Sequence, residues 1–188
     1  MTCQILFLGS PLLPVAVVQG MCLKFDWFRS LSKPLDLGLT IRGRRVFGDH
    51  KTWRGLLINV LFCMLGAAAQ ARIQQSQAIP PWLPLLDYGR DGLWVGFLMG
   101  AGMTCGELPN SFLKRQVSIP PGGRMRGFPG VLFFLLDQVD LAIGIWVFLF
   151  FVLKPAPSLV LLSFLITLVL HMAVSAVGYG LKMRQTIV

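Results

Sequence analysis

Asp137 and Asp140 stand three residues apart in the run Phe128–Leu153, which carries no other charge. On a helix, that spacing sets both carboxylates on one face. An ionised carboxylate at the bilayer centre costs about 2.5–3.5 kcal/mol on insertion scales, and a second one beside it adds repulsion. A divalent cation relieves both problems, and Mg2+ favours one or two carboxylates completed by phosphate oxygens. Plainer roles are open too: buried polar contacts between helices, or a pair at the membrane interface on a helix that begins later. Ionisable side chains within a span mark function by default, so metal or substrate chemistry at Asp137 and Asp140 is the leading expectation.

Upstream, Glu107-Leu-Pro-Asn110-Ser111-Phe-Leu-Lys114-Arg115 gathers an amide, a hydroxyl and two cations. Phosphate oxygens suit that set, with Arg as a planar fork and Lys as a point charge. An ordinary basic flank of a membrane span would look similar. Glu107 reads more readily as a helix cap or a partner for Arg115 than as a catalyst.

A third stretch, Arg42-Gly-Arg44-Arg45-Val-Phe-Gly48-Asp49-His50-Lys51-Thr52-Trp53-Arg54-Gly55, is a basic loop punctuated by glycine. It is not a P-loop, because Asp49-His50 intervenes before Lys51-Thr52 and no strand precedes it. It runs into a helix N-terminus, where free N–H groups and the helix dipole favour anions. Arg124 and Arg126, in the Gly/Pro-rich stretch 120–130, suit either a lid over the site or a connector. His171 reads as a helix–helix hydrogen-bond donor before a base, and Gly100, Gly102 and Gly106 as close-packing positions.

These residues need a membrane scaffold. Of 188 residues 55% are hydrophobic and only 13% charged, whereas a soluble domain needs about a quarter charged to solvate its surface. Uncharged runs cover Thr2–Leu23, Gly55–Ala71, Gly92–Gly106 and Pro155–Leu181, and Phe128–Leu153 is broken only by the two aspartates. The fold class is all-α and polytopic: one integral membrane domain over residues 1–188, about five transmembrane helices, and loops at about 24–54 and 107–128. The second and third runs are short for full spans. The first has no basic residue before it and no small-residue cleavage site, so it reads as a retained helix. The four cysteines lie far apart with no zinc-like spacing. Trp82, among prolines, reads as an interfacial residue between the second and third spans.

Five spans would place Lys24, Arg29, Lys33, Arg42, Arg44, Arg45, Lys51, Arg54, Lys114, Arg115, Arg124, Arg126, Lys182 and Arg184 on one side, and only Arg72, Arg90 and Lys154 on the other. The positive-inside rule then puts the basic side in the cytoplasm and the N-terminus outside.

Gly48-Asp-His-Lys51-Thr52-Trp53-Arg54-Gly55, Ser111-Phe-Leu-Lys114-Arg115 and Asp137-Gln138-Val-Asp140, in this order, resemble the CDP-archaeol synthase family, relatives of the phosphatidate cytidylyltransferases. The resemblance covers nearly the whole chain. It implies five transmembrane helices, a charged cavity open to the cytoplasm, and transfer of CMP from CTP to a phosphorylated, ether-linked isoprenoid glycerol with Mg2+ as cofactor. It implies further that Asp137 and Asp140 hold Mg2+, that Ser111, Lys114 and Arg115 bind phosphates, and that Lys51, Thr52 and Arg54 belong to the nucleotide-binding loop. The chain departs from the family pattern at Ser175, where the family carries an Asn four residues after the His of its last helix, and it lacks the His-Gly-Gly segment of phosphatidate cytidylyltransferases proper. A small ion- or proton-coupled transporter using Asp137 and Asp140 is the alternative; it leaves the basic, Gly-rich loops on one side without a role.

Overall fold

The computed structural model describes residues 1–120, 123 and 127–180, with only the backbone of residue 171 and of 174–180. Helices α1 (Thr2–Gly9), α2 (Leu12–Phe25), α3 (Trp53–Gln75), α4 (Tyr88–Gln116), α5 (Phe128–Leu149) and α6 (Pro157–Gly180) form a bundle in which α4 packs most extensively, between α3 and α5. The first apolar run is thus two helices, bent by 42°. Pro11 lies at the bend, where its ring leaves no N–H for the carbonyl of Phe7. Gln70 of α3, almost fully buried, donates its side-chain amide to that carbonyl and, at 3.1 Å, to Ser10 Oγ. Gly66 leaves room for the bend, since a Cβ there would stand 2.7 Å from Pro11 Cα.

Helices α3 and α5 are each long and apolar enough to cross a membrane, and α1 with α2 makes a third span if the bent pair is taken as one. Among the described residues, length and composition alone therefore support two of the five expected spans, or three with the bent pair. Helix α4, with 29 residues, spends its sequence on glycines and polar groups instead of apolar bulk. Leu57, Leu61 and Leu65 on α3 and Leu161, Leu165 and Val169 on α6 point outward at helical spacing, as lipid-facing stripes do. Inside, Val15, Cys63, Val95, Met99 and Leu149 are fully buried. Trp146 Nε1 donates to Ser163 Oγ at 2.6 Å and ties α5 to α6.

Close helix approach depends on the α4 glycines. A Cβ on Gly96 would meet Met64 Cα at 2.6 Å and one on Gly100 would meet Asn59 O at 2.5 Å, both on α3. On the other side, Gly102 and Gly106 face Gly144 and the Asp140 carbonyl of α5. The packing role expected of Gly100, Gly102 and Gly106 is the observed one.

The loop after α2 is folded and not wholly helical. It contains a two-stranded antiparallel ladder, β1 (Thr40–Ile41) with β2 (Arg44–Arg45), a small addition to the all-α reading. Arg42 and Gly43 at its turn have φ of 52° and 75°, the pair of positive values a tight hairpin needs. Lys33–Leu35 runs alongside Lys51–Trp53, with Leu35 N donating to Lys51 O at 2.7 Å and Trp53 N to Lys33 O at 3.0 Å. That pairing clamps the loop to the start of α3.

Candidate functional site

The last turns of α4 and the middle of α5 carry the densest charged cluster. Because Gly102, Gly106 and Gly144 bring the two backbones together, a short side chain on α4 reaches across. Asn110 Nδ2 donates to Asp137 Oδ1 at 2.6 Å and to Asp140 Oδ2 at 3.0 Å. Lys114, one turn further on, grips both oxygens of Asp137. Asn110 and Asp140 are buried, whereas the Asp137 side chain is 42% exposed. The pair therefore grades from a solvent-reachable carboxylate to an enclosed one, both on a single helix face.

One turn before Asn110, Glu107 forms an ion pair with Lys51 of the basic loop. This corrects the expected Glu107–Arg115 partnership: those two residues lie about 12 Å apart along one helix, while the folded loop delivers Lys51 directly. Glu107 and Lys51 are both within electrostatic reach of Asp140. Three carboxylates thus share the cluster with two ammonium groups, an excess of negative charge in a half-buried place.

The remaining site candidates sit around this cluster. Arg115 donates to the carbonyl of Ile119, shapes the turn after α4 and lies within electrostatic reach of Asp49 in the basic loop. Ser111 is half-buried beside Asn110 on α4. Thr52 caps α3, its Oγ1 accepting from Gly55 N at 3.2 Å. Arg54 donates to Trp27 O at 2.9 Å and to Asp26 at 3.2 Å, tying the end of α2 to the start of α3. The structure therefore joins Lys51, Lys114, Asp137 and Asp140, and gives Thr52, Arg54 and Arg115 local structural partners. Arg124, Arg126, Lys182 and Arg184, and the side chains of His171 and Ser175, lie outside the described residues.

Two groups matter that sequence reasoning did not single out. Asp36, buried in the loop, accepts from Arg45 at 2.7 Å, Phe47 N at 2.9 Å, Gly38 N at 3.1 Å and Gly48 N at 3.2 Å. Burial opposes its ionisation, but these donors prevail and hold the carboxyl well below the usual carboxylate range. Its signal was the turn-rich Pro34-Leu-Asp36-Leu-Gly38. Asn59, with Gln19 and Thr104, forms a buried polar link across α2, α3 and α4, Asn59 Nδ2 donating to Thr104 Oγ1 at 2.9 Å. Its signal was an uncharged polar residue within each apolar run, where Gln4, Ser10 and Gln70 offered others.

Among the described residues no three His, Cys, Asp or Glu side chains converge as a ready-made metal cage. The oxygen donors that do converge are the Asp137 and Asp140 carboxylates; Asn110 presents its Nδ2 to both, and its Oδ1, on the other side of the amide, is buried without a hydrogen-bond partner among the described residues. A separate depression, lined by Arg72, Gln75, Tyr88 and Arg90, lies at the far end of the α3–α4 pair.

Known proteins resemble this chain in sequence and fold. A family model described as CarS-like CDP-archaeol synthase matches residues 12–187. A CDP-archaeol synthase of Pyrococcus furiosus is 34% identical over 153 residues, covering 81% of each chain. One from Halorubrum lacusprofundi is 32% identical over 163 residues, covering 81% of this chain and 82% of that one. A solved structure described as an intramembrane enzyme for archaeal membrane lipids biosynthesis superposes with a TM-score of 0.62 at 21% identity, covering 90% of both chains, which shows a common fold. The match over nearly the whole length, with these two relatives above 30% identity, makes the chain a member of the CDP-archaeol synthase family.

Proposed function

We propose that the chain transfers CMP from CTP to a phosphorylated, ether-linked isoprenoid glycerol, giving a CDP-lipid and pyrophosphate. The observation that carries this reading is the Asn110 amide bridging Asp137 and Asp140 with Lys114 alongside. Family membership supplies the reaction class, and the cluster supplies acidic and basic partners for a metal–triphosphate. The basic loops face the cytoplasm in this reading, because CTP comes from that side and positive loops stay there.

The donor set fits a hard divalent cation. Asp137 and Asp140 would hold Mg2+, with substrate oxygens or water completing its shell, and the Asn110 amide would join them only by turning its oxygen towards the carboxylates. When bound, Mg2+ polarises phosphoryl oxygen and offsets developing negative charge. The lipid phosphate oxygen attacks the α-phosphorus of CTP in line, and the bond to the β-phosphate bridging oxygen breaks. Pyrophosphate departs with the electron pair. A phosphate is already a nucleophile at neutral pH, so the protein's work is alignment and charge neutralisation.

Lys114 and Lys51 fill that role by exchanging partners. Without substrate each neutralises a carboxylate, Asp137 or Glu107. With substrate each would turn its ammonium to phosphate oxygens, and Asp137 would then be free to hold the cation with Asp140. Arg115 and Ser111 stand one position further round α4, towards the loop, where the departing pyrophosphate or the lipid phosphate would lie. Thr52 and Arg54 act by holding the nucleotide loop against α3.

The test uses purified protein with CTP, Mg2+ and a panel of isoprenyl-ether and acyl glycerol phosphates, read by pyrophosphate release. Release that depends on the isoprenyl-ether lipid phosphate is expected. CTP turnover with no member of the panel would overturn the reaction, and wild-type turnover by Asp140→Asn would overturn the site.

A further inference from the structure

An unusual surface covers the segment between α2 and the β1–β2 turn. Phe25, Trp27, Phe28, Leu31, Leu37, Leu39 and Ile41 are all exposed, Leu37 and Leu39 by 72% and 66%. Burying an apolar row within the loop would be the ordinary outcome of folding, since exposed apolar area is unfavourable in water. Here the loop folds around the buried Asp36 and turns its apolar side chains outward. Phe28 and Leu37 do so from the left-handed region, with φ of 55° and 47°. Bulky side chains are uncommon and strained there.

Charge complements this row. Lys24, Lys33, Arg42 and Arg44 are interleaved with the apolar residues and make no ion pair among the described residues. Both acidic residues of the segment are already engaged, Asp26 by Arg29 and Arg54 and Asp36 by Arg45. The surface is continuous with the outward side of α2, whose Leu13, Val17 and Leu23 are exposed in a family of membrane proteins. Its depth is also set. Arg54 holds Trp27 beside the first turn of α3, where Trp53 is itself 42% exposed, so two indoles stand at one end of a membrane-length helix. Aromatic rings with basic residues beyond them characterise the interface between hydrocarbon and headgroups.

We infer that residues 23–44 are a monotopic dock on the bilayer, inserting Trp27, Phe28, Leu37 and Leu39 at headgroup depth while Lys33, Arg42 and Arg44 engage anionic lipid phosphates. The dock raises the local concentration of phosphorylated lipid at the rim of the α4–α5 cluster. It does not require the cytidylyl-transfer reading, because its first readout is immersion and not turnover.

The test places a fluorophore on Leu39→Cys in full-length protein whose exposed cysteines, Cys3 and Cys105, are replaced by alanine. The protein is reconstituted in vesicles of phosphatidylcholine, with or without phosphatidylglycerol. The expected result is strong quenching by headgroup-level nitroxide lipids and protection from aqueous iodide, both enhanced by phosphatidylglycerol. Arg42→Ala and Arg44→Ala should each weaken the phosphatidylglycerol enhancement by about fivefold, the amount one basic side chain is worth near an anionic surface. Free access of iodide in both vesicles would overturn the dock. Protection that tracks protein concentration and not lipid composition would overturn it too, assigning the face to a second copy of the chain. In the transfer assay, Leu37→Ser with Leu39→Ser should raise the KM for lipid phosphate severalfold and leave the KM for CTP unchanged. Equal shifts in both would sink the substrate-gathering role even if immersion is observed.

Discussion

Two buried aspartates, Asp36 and Asp140, meet opposite treatment from the same chain. Asp36 sits in a loop and receives four donors, three of them backbone N–H groups and one an arginine. Asp140 sits in a helix with one backbone donor, Leu141 N at 2.7 Å, and across the interface it shares the Asn110 amide with a second carboxylate. Asn110 itself keeps a buried oxygen with no partner among the described residues. A fully satisfied carboxylate organises structure, and a buried polar group left short of partners calls for another explanation, such as a ligand. The contrast separates a scaffold acid from the acid proposed to work.

The largest effect expected is at the working acid. Asp140→Asn should lower CMP transfer by about 100-fold or more, since losing even a supporting partner of a metal ligand costs about 10–100-fold; radiolabelled CTP incorporation into lipid measures it. Asn110→Ala should follow, with a loss of about 10–100-fold and a shifted Mg2+ dependence of turnover. Unchanged Mg2+ dependence would reduce Asn110 to a helix-packing residue and blur the contrast.

At the scaffold acid the effect should be one of stability. Asp36→Asn should destabilise the loop by about 1–3 kcal/mol, the cost of leaving buried donors unsatisfied. The sign of its pH dependence follows from the lowered carboxyl pKa. The folded state holds its proton less tightly than the unfolded chain, so the stabilisation is present above the unfolded carboxyl value of about 3.9 and is lost only as pH falls through the lower folded value. Limited proteolysis of wild type and Asp36→Asn should show a constant gap from neutral pH down to about pH 5, closing below about pH 4. A gap closing near neutrality would assign the effect to another group.

The smallest effect belongs to Thr52. Its Oγ1 caps α3, so Thr52→Ala should cost about 1 kcal/mol of thermal stability and Thr52→Ser should restore it. Loss of CTP use in Thr52→Ser at wild-type stability would move Thr52 from scaffold to substrate contact.

Particular residues show how much was readable beforehand. The carboxylates at 137 and 140 were conspicuous because charge in an apolar run is costly, and their i, i+3 spacing alone put them on one face. Gly100, Gly102 and Gly106 were readable as packing residues, since small residues at such spacing let helices close up. The break at Pro11 was not anticipated, because an uncharged run looks continuous to any hydropathy argument. Glu107 was assigned a neighbour on its own helix because local spacing is all a sequence displays. Its partner came from 56 positions away.

The chain by itself determined membrane residence, helical class, the basic composition of the loops and the acidic face of α5. Each follows from local composition or from a period of a few residues. Tertiary structure alone decided that Asn110 joins both aspartates, that Lys51 reaches Glu107 and that Asp36 organises the basic loop. Those contacts depend on how closely α4 meets its neighbours and on where a folded loop comes down. Such distances arise from packing across the whole bundle, and no stretch of sequence holds them locally.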